Sequence, residues 1–394
     1  MPKRGALLGL SLTQLAAISA AFFIPRLFLL NVSYGASFDM QSYFMVDDSL
    51  HRGLGLYANP ALDGRYPYLP AWAGLLWCFG WLARTGLMRP WIAFKLPGLL
   101  AELGIVFFIL KHFQNESAPG KRGFWAAMGY ALNPLSWLVT ACHGQFDAVV
   151  LFLILGAASA LRARRALGAG AFFGIAVAFK SWPLFLLPLF FWGAEGKAAR
   201  LRLLSLALGI PLLLAVGAAL FWGAASLAGH LAYAGLSEVS ISEFLELFGE
   251  LCLAPARAAQ PFLLWKAAAW ACLLIYWGEA WRFRPRQPLT AGLAEALLVL
   301  LIFAPMPSAH YLLWPLPFLL LGPPRRAWAY SAAAALLLLA FYLLFCPEAL
   351  NKAWPPGQYP MGPGLKAAWA GLNLGFWLFL VALAFRKLRN PLKP

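Results

Sequence analysis

The sequence predicts an all-α fold, a polytopic transmembrane helix bundle of about twelve spans with a large first outer loop that contains surface helices. Three observations predict it. Hydrophobic residues are 62% of the 394 and charged residues only 12%, and the mean hydropathy is +0.71, a composition that a soluble domain of this size does not carry. The apolar residues come in runs, many of them close to the roughly 20 residues needed to cross a bilayer. The basic residues behind the net charge of +16 sit in short loops between those runs, so the excess reads as membrane orientation and excludes a nucleic-acid surface.

The first run, 5–30, follows Lys3 and Arg4. It has the basic flank of a signal peptide, but its apolar stretch is too long and no convincing small-residue cleavage site follows, so it reads as a retained helix. It delivers the first outer loop, 32–90. Within that loop 70–87 is apolar enough to span, and if it did, every later loop would change sides. Charge decides the matter. With 70–87 kept as a surface or re-entrant helix, twenty of the 31 basic residues fall inside. They are Lys3, Arg4, Lys111, Lys121 and Arg122, then Arg162, Arg164, Arg165, Lys197, Arg200 and Arg202, then Arg282, Arg284, Arg286, Arg325 and Arg326, and the tail Arg386, Lys387, Arg389 and Lys393. That is the distribution the positive-inside rule requires.

The later spans are then 91–110, 123–141, 146–161, 166–180, 182–194, 203–223, 262–281, 290–305, 309–322, 327–346 and 366–385, with both termini inside. Those at 182–194 and 309–322 are short, which implies tilt, local thinning or ends submerged in a protein cavity. By this reading 1–394 is a single integral-membrane domain, with further outer segments at 226–261 and 347–364. Cys78, Cys142, Cys252, Cys272 and Cys346 have no paired spacing and indicate neither a disulfide framework nor a metal cluster.

Segment 37–69 is a polar island. Four of the five aspartates, Asp39, Asp47, Asp48 and Asp63, fall in it together with His51, Arg52, Arg65 and several tyrosines. Read as a helix, its first half puts Asp39, Tyr43 and Asp47 on one face with His51 a turn further, so that their polar ends can converge. Two readings stand: an active-site loop, or a solvated loop whose charges keep it in water.

Polar side chains at span ends are costly in lipid unless they face a cavity, a partner or water. His143, Gln145 and Asp147 lie at the junction of the third and fourth spans. Either Gly144 turns a hairpin there and Asp147 caps the next helix, or the three add an imidazole, an amide and a carboxylate to the mouth of a cavity. Lys180 in AVAFKSWPLF and Lys95 in WIAFKLPGLL occupy outer ends; each ammonium either snorkels or meets an anion such as a lipid phosphate. His310 in PSAHY is a wetted turn residue or a partner for a phosphate oxygen, and Arg257 and Lys266 offer a weaker version. Glu238, Glu243, Glu246 and Glu250 read as the wet face of an amphipathic helix.

Several segments carry a family likeness in order: Asp39 followed by Tyr43, the run of Gly53, Gly55 and Tyr57, Tyr66-Pro67-Tyr68-Leu69, KLPGLLAELGI, NPLSWLVTACHGQFDA, FKSWPLFLLPLF and PSAHYLLWPLPFL. With them the chain resembles the polytopic GT-C glycosyltransferases, most closely glycosyltransferase family 87, the polyprenyl-phosphate-mannose-dependent mannosyltransferases. It departs from the pattern at Tyr68, where a second proline is frequent, at His143, where an aromatic is, and at Ser181, where a proline commonly follows the lysine.

The resemblance implies a GT-C fold and an inverting transfer of a hexose, mannose foremost, from a polyprenyl-phosphate-sugar donor to a lipid or glycan hydroxyl at the outer face. Such a transfer needs a carboxylate to take the acceptor's proton, and Asp39 stands at the family position. Lys180, His310, Lys95 and Arg65 are expected to hold the departing lipid phosphate. Tyr43, Asp47, Asp48, Tyr66, Tyr68, His143, Gln145, Asp147, Trp182 and Tyr311 are expected to bind the substrates, the aromatic ones by stacking. A lipid donor makes a nucleotide-sugar motif and a metal triad unnecessary, so neither metal nor cofactor is expected. The partners are the lipid donor, the acceptor and membrane lipids, with no nucleic acid. The Ala, Leu, Gly and Arg bias and compact loops point to a bacterial inner membrane.

The chief rival is a secondary transporter or lipid flippase. It predicts polar groups near the midplane on broken helices from two related halves, whereas the polar groups here gather at one face and no repeat is evident. An enzyme moving another group from a lipid donor, and an inactive subunit of a larger assembly, remain as further alternatives.

Overall fold

In the computed structural model of the protein, the described residues are 10–57, 59–62, 65–114, 119–223, 226, 237–283, 287–354 and 361–389. Lys3, Arg4, Asp63, Arg284, Arg286, Lys393 and the start of the first expected span lie outside them. Every regular element among the described residues is helical. The chain divides into two compact units, Met1–Tyr233 with Pro347–Pro356, and Ala234–Cys346 with Gly357–Pro394.

In the first unit α1 (Leu12–Val32) opens with a reciprocal cap, in which Ser11 Oγ accepts from Gln14 N and Gln14 Oε1 accepts from Ser11 N. Its buried stripe repeats every four residues, Ile18, Phe22, Arg26 and Leu30, while Phe23, Ile24, Leu27 and Phe28 are exposed. The outward face is thus apolar as well, unlike that of a water-soluble helix. Next come α2 (Ser37–His51), α3 (Pro70–Arg84) and α4 (Pro90–Phe113). The α3 helix has 15 residues.

The expected span 123–141 is interrupted. After α5 (Pro119–Ala131), Asn133 caps the four-residue α6 (Pro134–Trp137) through Oδ1 and Leu135 N, with Pro134 in its first turn. Proline has no N–H to continue the preceding helix. The chain then widens into a π-helical turn, Leu138–His143. The α7 (Asp147–Arg162) and α8 (Ala166–Phe179) helices follow, then a 3-10 turn, Trp182–Leu186, α9 (Leu187–Gly193) and α10 (Lys197–Trp222). Gly170 and Gly174 bring α8 so close to α10 that a methyl group on either would run into the carbonyls of Leu203 and Leu206, the small-residue contact by which membrane helices associate.

The second unit holds α11 (Ser240–Cys252), α12 (Gln260–Arg282), α13 (Leu289–Phe303), the 3-10 turn Ala309–Leu313, α14 (Leu316–Leu320) and α15 (Pro324–Phe345). The short α16 (Pro347–Leu350) returns to the first unit, and α17 (Pro363–Arg389) completes the second. The Tyr330 hydroxyl donates to Leu312 O at 2.6 Å and Trp377 Nε1 to Ile302 O at 3.0 Å.

One expectation is corrected on α11. Glu243 is not on a wet face: it is buried and accepts a 3.0 Å hydrogen bond from Trp369 Nε1. Glu246 and Glu250 do face outward, and Glu250 pairs with Lys366 at 2.7 Å. Glu238 instead binds Ala309 N, at the start of the turn that carries His310.

Among the described residues six helices are long and apolar enough to cross a membrane: Leu12–Val32, Pro90–Phe113, Lys197–Trp222, Pro255–Arg282, Pro324–Phe345 and Pro363–Ala384. Each coincides with an expected span. The other six expected spans fall on shorter or interrupted elements, those of the first unit broken where Asn133-Pro134, His143-Gly144, Pro183 and Pro188 stand in the sequence.

Candidate functional site

The site is built where two interrupted helical runs meet the start of α2. The π turn ends at Gly144, whose φ of 91° lies in the left-handed region open to glycine. This lets Gly144 N and Gln145 N both donate to Val139 O at 3.1 Å. The chain reverses so sharply that His143, Gln145 and Asp147 are presented within one turn of each other. π turns of this kind concentrate at functional sites.

Asp39 projects from the first turn of α2. Its Oδ2 is 2.6 Å from His143 Nε2 and accepts from Gln145 Nε2 at 2.8 Å. The Gln145 amide continues the chain, because its Oε1 accepts from Lys180 Nζ at 3.4 Å, and Lys180 Nζ is 2.9 Å from Asp147 Oδ2. Asp147 is the first residue of α7, where a carboxylate suits the helix N-terminus, and the same carboxylate pairs with Lys180. Lys180 is available because α8 ends at that residue, which adopts an extended backbone.

Aromatic rings enclose the cation. Lys180 Nζ lies 4.5 Å from the Phe146 ring centre and 5.8 Å from that of Tyr68, close enough for cation–π attraction. Phe146 in turn stacks on Trp72 at 4.1 Å, and Tyr43 meets the edge of Trp72 at 5.3 Å. Asp147 and Lys180 are 0% and 7% exposed, whereas the Asp39 side chain keeps 23%. Of the two carboxylates in this chain of contacts, Asp39 is the more exposed.

Other expected residues are occupied elsewhere. Of the expected convergence of Asp39, Tyr43, Asp47 and His51, Asp47 and His51 meet at 3.0 Å, with Arg84 of α3 also on Asp47 at 2.7 Å, while Asp39 turns to the 143–145 segment. Asp48 forms an exposed pair with Arg52. The Tyr66 hydroxyl donates to Leu69 O and accepts from Ala73 N, securing the start of α3, and burial holds its phenol well above the ordinary tyrosine range, so it stays protonated. Arg65 lies along α2, over the Phe38 ring at 4.6 Å and near Ser42 Oγ at 3.4 Å. Trp182 starts the 3-10 turn after Lys180 and is half-buried. His310 and Tyr311 belong to the second unit, where Tyr311 stacks on Trp314 at 4.0 Å and His310 meets its edge at 4.7 Å.

Lys95 sits on α4, 1% exposed, with its ammonium against Ser33 O, Ser33 Oγ, Ala141 O and Cys142 O at 3.1, 3.4, 2.8 and 3.2 Å.

Three features that support the site were not anticipated. Ser37 N and Oγ both donate to Glu348 Oε1, so a carboxylate 311 residues away caps the helix that bears Asp39. Ser33 Oγ, with one proton to donate, lies 2.9 Å from Cys142 O and 2.5 Å from Ala349 O, and Ala36 N donates to His143 O at 2.9 Å. Finally, Arg26 and Glu102 pair at 2.7 Å inside α1 and α4, with Arg26 also reaching Ala131 O and Ser136 Oγ at 2.8 Å each. That clamp holds the break ahead of the π turn. The sequence signal for it was two opposite charges in separate apolar runs, each requiring a partner.

The model of glycosyltransferase family 87 matches residues 66–308, well over half of the chain. The matched stretch contains His143, Gln145, Asp147 and Lys180, and Asp39 lies ahead of it. No match to a curated protein accompanies it. The family model, together with helices long and apolar enough to cross a bilayer, leads to one assignment: the chain belongs to glycosyltransferase family 87 and is an integral-membrane glycosyltransferase.

Proposed function

We propose that the protein transfers a hexose, mannose foremost, from a polyprenyl-phosphate-sugar donor to a hydroxyl of a lipid or glycan acceptor, with inversion and with Asp39 as general base. The observation that carries the reading is the Gln145 amide, which holds the Asp39 carboxylate at one end and the Lys180 ammonium at the other. An inverting transfer needs that polarity. The base draws the proton from the attacking hydroxyl on one side of the anomeric carbon, and a cation meets the phosphate leaving on the other.

His143 and Gln145 act on the base by orientation. Each places a side-chain nitrogen within hydrogen-bond distance of the same carboxylate oxygen, which fixes the direction of the carboxylate's lone pairs before the acceptor arrives. Lys180 serves the phosphate, and its aromatic surroundings exclude water and strengthen its field. Orientation on the periplasmic side of a bacterial inner membrane completes the proposal, and the charge pattern of the loops supports that orientation.

The test is turnover by the purified chain in detergent, given polyprenyl-phosphate mannose and a membrane lipid extract. The proposal expects release of polyprenyl phosphate and a mannosylated product whose anomeric configuration is opposite to that of the donor. Retention of configuration would remove the single-base mechanism. No turnover with any polyprenyl-phosphate sugar would remove the donor class.

A further inference from the structure

The sequence reading places Lys95 among the phosphate-binding cations. Its surroundings argue otherwise. The ammonium is buried at the level of 1% exposure and lies within 3.4 Å of three main-chain carbonyls and one hydroxyl. Two of those carbonyls, Ala141 and Cys142, belong to the last turn of the π-helical segment that ends at His143. Carbonyls at a helix C-terminus lack partners within the helix, and a cation is the group that satisfies them best.

The other two oxygens belong to Ser33, directly after α1. Residues 33–36 are the connection that leads into α2 and therefore sets where Asp39 begins. This connection is tied to the π turn by the bond from Ala36 N to His143 O, and Ser33 Oγ lies 2.9 Å from Cys142 O. The aliphatic stem of Lys95 also packs on the reversal itself, since a methyl group on Gly144 would lie 3.3 Å from Lys95 Cε. One ammonium thus holds two strands of chain, one leading to the carboxylate and the other to the imidazole that meets it.

We infer that Lys95 is a positioning residue that registers the Asp39 helix against the His143 turn through its hydrogen bonds to main-chain oxygens. The inference deepens the proposed transfer and rests on that reading for its kinetic consequence. Its structural consequence stands apart from it. Loss of the donor N–H groups loosens both segments together, whereas loss of charge alone does not.

The test compares the full chain with its Lys95→Met and Lys95→Gln variants. Methionine keeps the stem and removes every donor; glutamine keeps an N–H pair and removes the charge. Hydrogen–deuterium exchange is read on peptides covering 33–40 and 138–146, and in parallel kcat and donor KM are measured. Lys95→Met is expected to speed exchange in both segments at once and to lower kcat about tenfold or more, with donor KM within about twofold of wild type. Lys95→Gln is expected to recover much of the protection and of kcat.

Unchanged exchange in Lys95→Met overturns the inference. So does a donor KM raised equally in both variants with kcat intact, which returns Lys95 to the phosphate. If Lys95→Met does not fold, Ser33→Ala provides the second probe, because it removes a shared partner and must loosen the same two segments. If the wild type shows no transfer from any polyprenyl-phosphate sugar, the functional reading fails while the exchange result still decides the role of Lys95.

Discussion

Asp39 Oδ2 and His143 Nε2 meet at 2.6 Å although 104 residues separate them in the chain. Their meeting depends on two interruptions of helical structure, the start of α2 and the left-handed Gly144 after the π turn. The same carboxylate oxygen takes the Gln145 amide, and through it the site reaches Lys180.

Gln145 is therefore the residue whose loss disconnects the base from the cation. Gln145→Met keeps the side-chain length and removes both bonds. It is expected to lower kcat by about ten- to a hundredfold while the donor KM moves less, since the loss is one of orientation in the transition state. Steady-state kinetics with the lipid donor provide the check. A change confined to donor KM would show that Gln145 binds donor and does not orient the base.

Lys180 and Asp147 form a buried pair, 7% and 0% exposed. Lys180→Met alone leaves a buried carboxylate without its cation and is expected to cost about 3–5 kcal/mol of stability. Combining it with Asp147→Leu replaces the pair by apolar groups and is expected to recover most of that loss. Transfer is expected to stay absent in the double variant, because the phosphate has lost its cation. Thermal unfolding in detergent and a transfer assay on both variants separate the two effects. An active double variant would make the pair purely structural.

The second unit carries a pH dependence of its own. Burial, with neighbouring Glu246, Glu238 and Glu250 adding to it, pushes the Glu243 carboxyl up to about 7, against the pull of the Trp369 hydrogen bond. A folded-state value above the ordinary 4.5 means that the folded protein holds a proton which the unfolded chain releases. The contribution is full below about pH 4.5 and is lost as pH rises through 7, an effect of roughly 3 kcal/mol. Glu243→Gln keeps an acceptor for Trp369 Nε1 and is expected to flatten the fall in unfolding midpoint between pH 5 and 7. A midpoint that falls equally in both proteins would contradict the assignment.

Much of this was legible in the sequence, for physical reasons. The punctuation His143-Gly144 and Lys180 to Pro183 marks where helices break, although Asn133-Pro134 breaks a run read as one span, and Asp39, Gln145, Asp147 and Lys180 are polar groups that an apolar chain carries only for a purpose. The spacing of α2 also placed Asp39 and Asp47 on one face, yet it did not say that Arg84 from α3 would take Asp47. The caps and clamps were not legible. Glu348 reaches Ser37 across 311 residues and Arg26 reaches Glu102 across 76, and nothing local to either member identifies the other. Lys95 and Lys180 read alike as cations at span ends; only the carbonyls around one and the carboxylate beside the other distinguish them.

The central claim is that the Asp39 carboxylate takes the proton of the acceptor hydroxyl. Asp39→Asn removes that basicity and leaves a side chain of the same shape. The measurement is polyprenyl phosphate release from polyprenyl-phosphate mannose by wild type and Asp39→Asn, matched for unfolding midpoint and for donor binding. The account predicts a folded variant that binds donor and turns over about a hundredfold more slowly or less. Turnover within a few-fold of wild type would contradict it and move the base to another carboxylate.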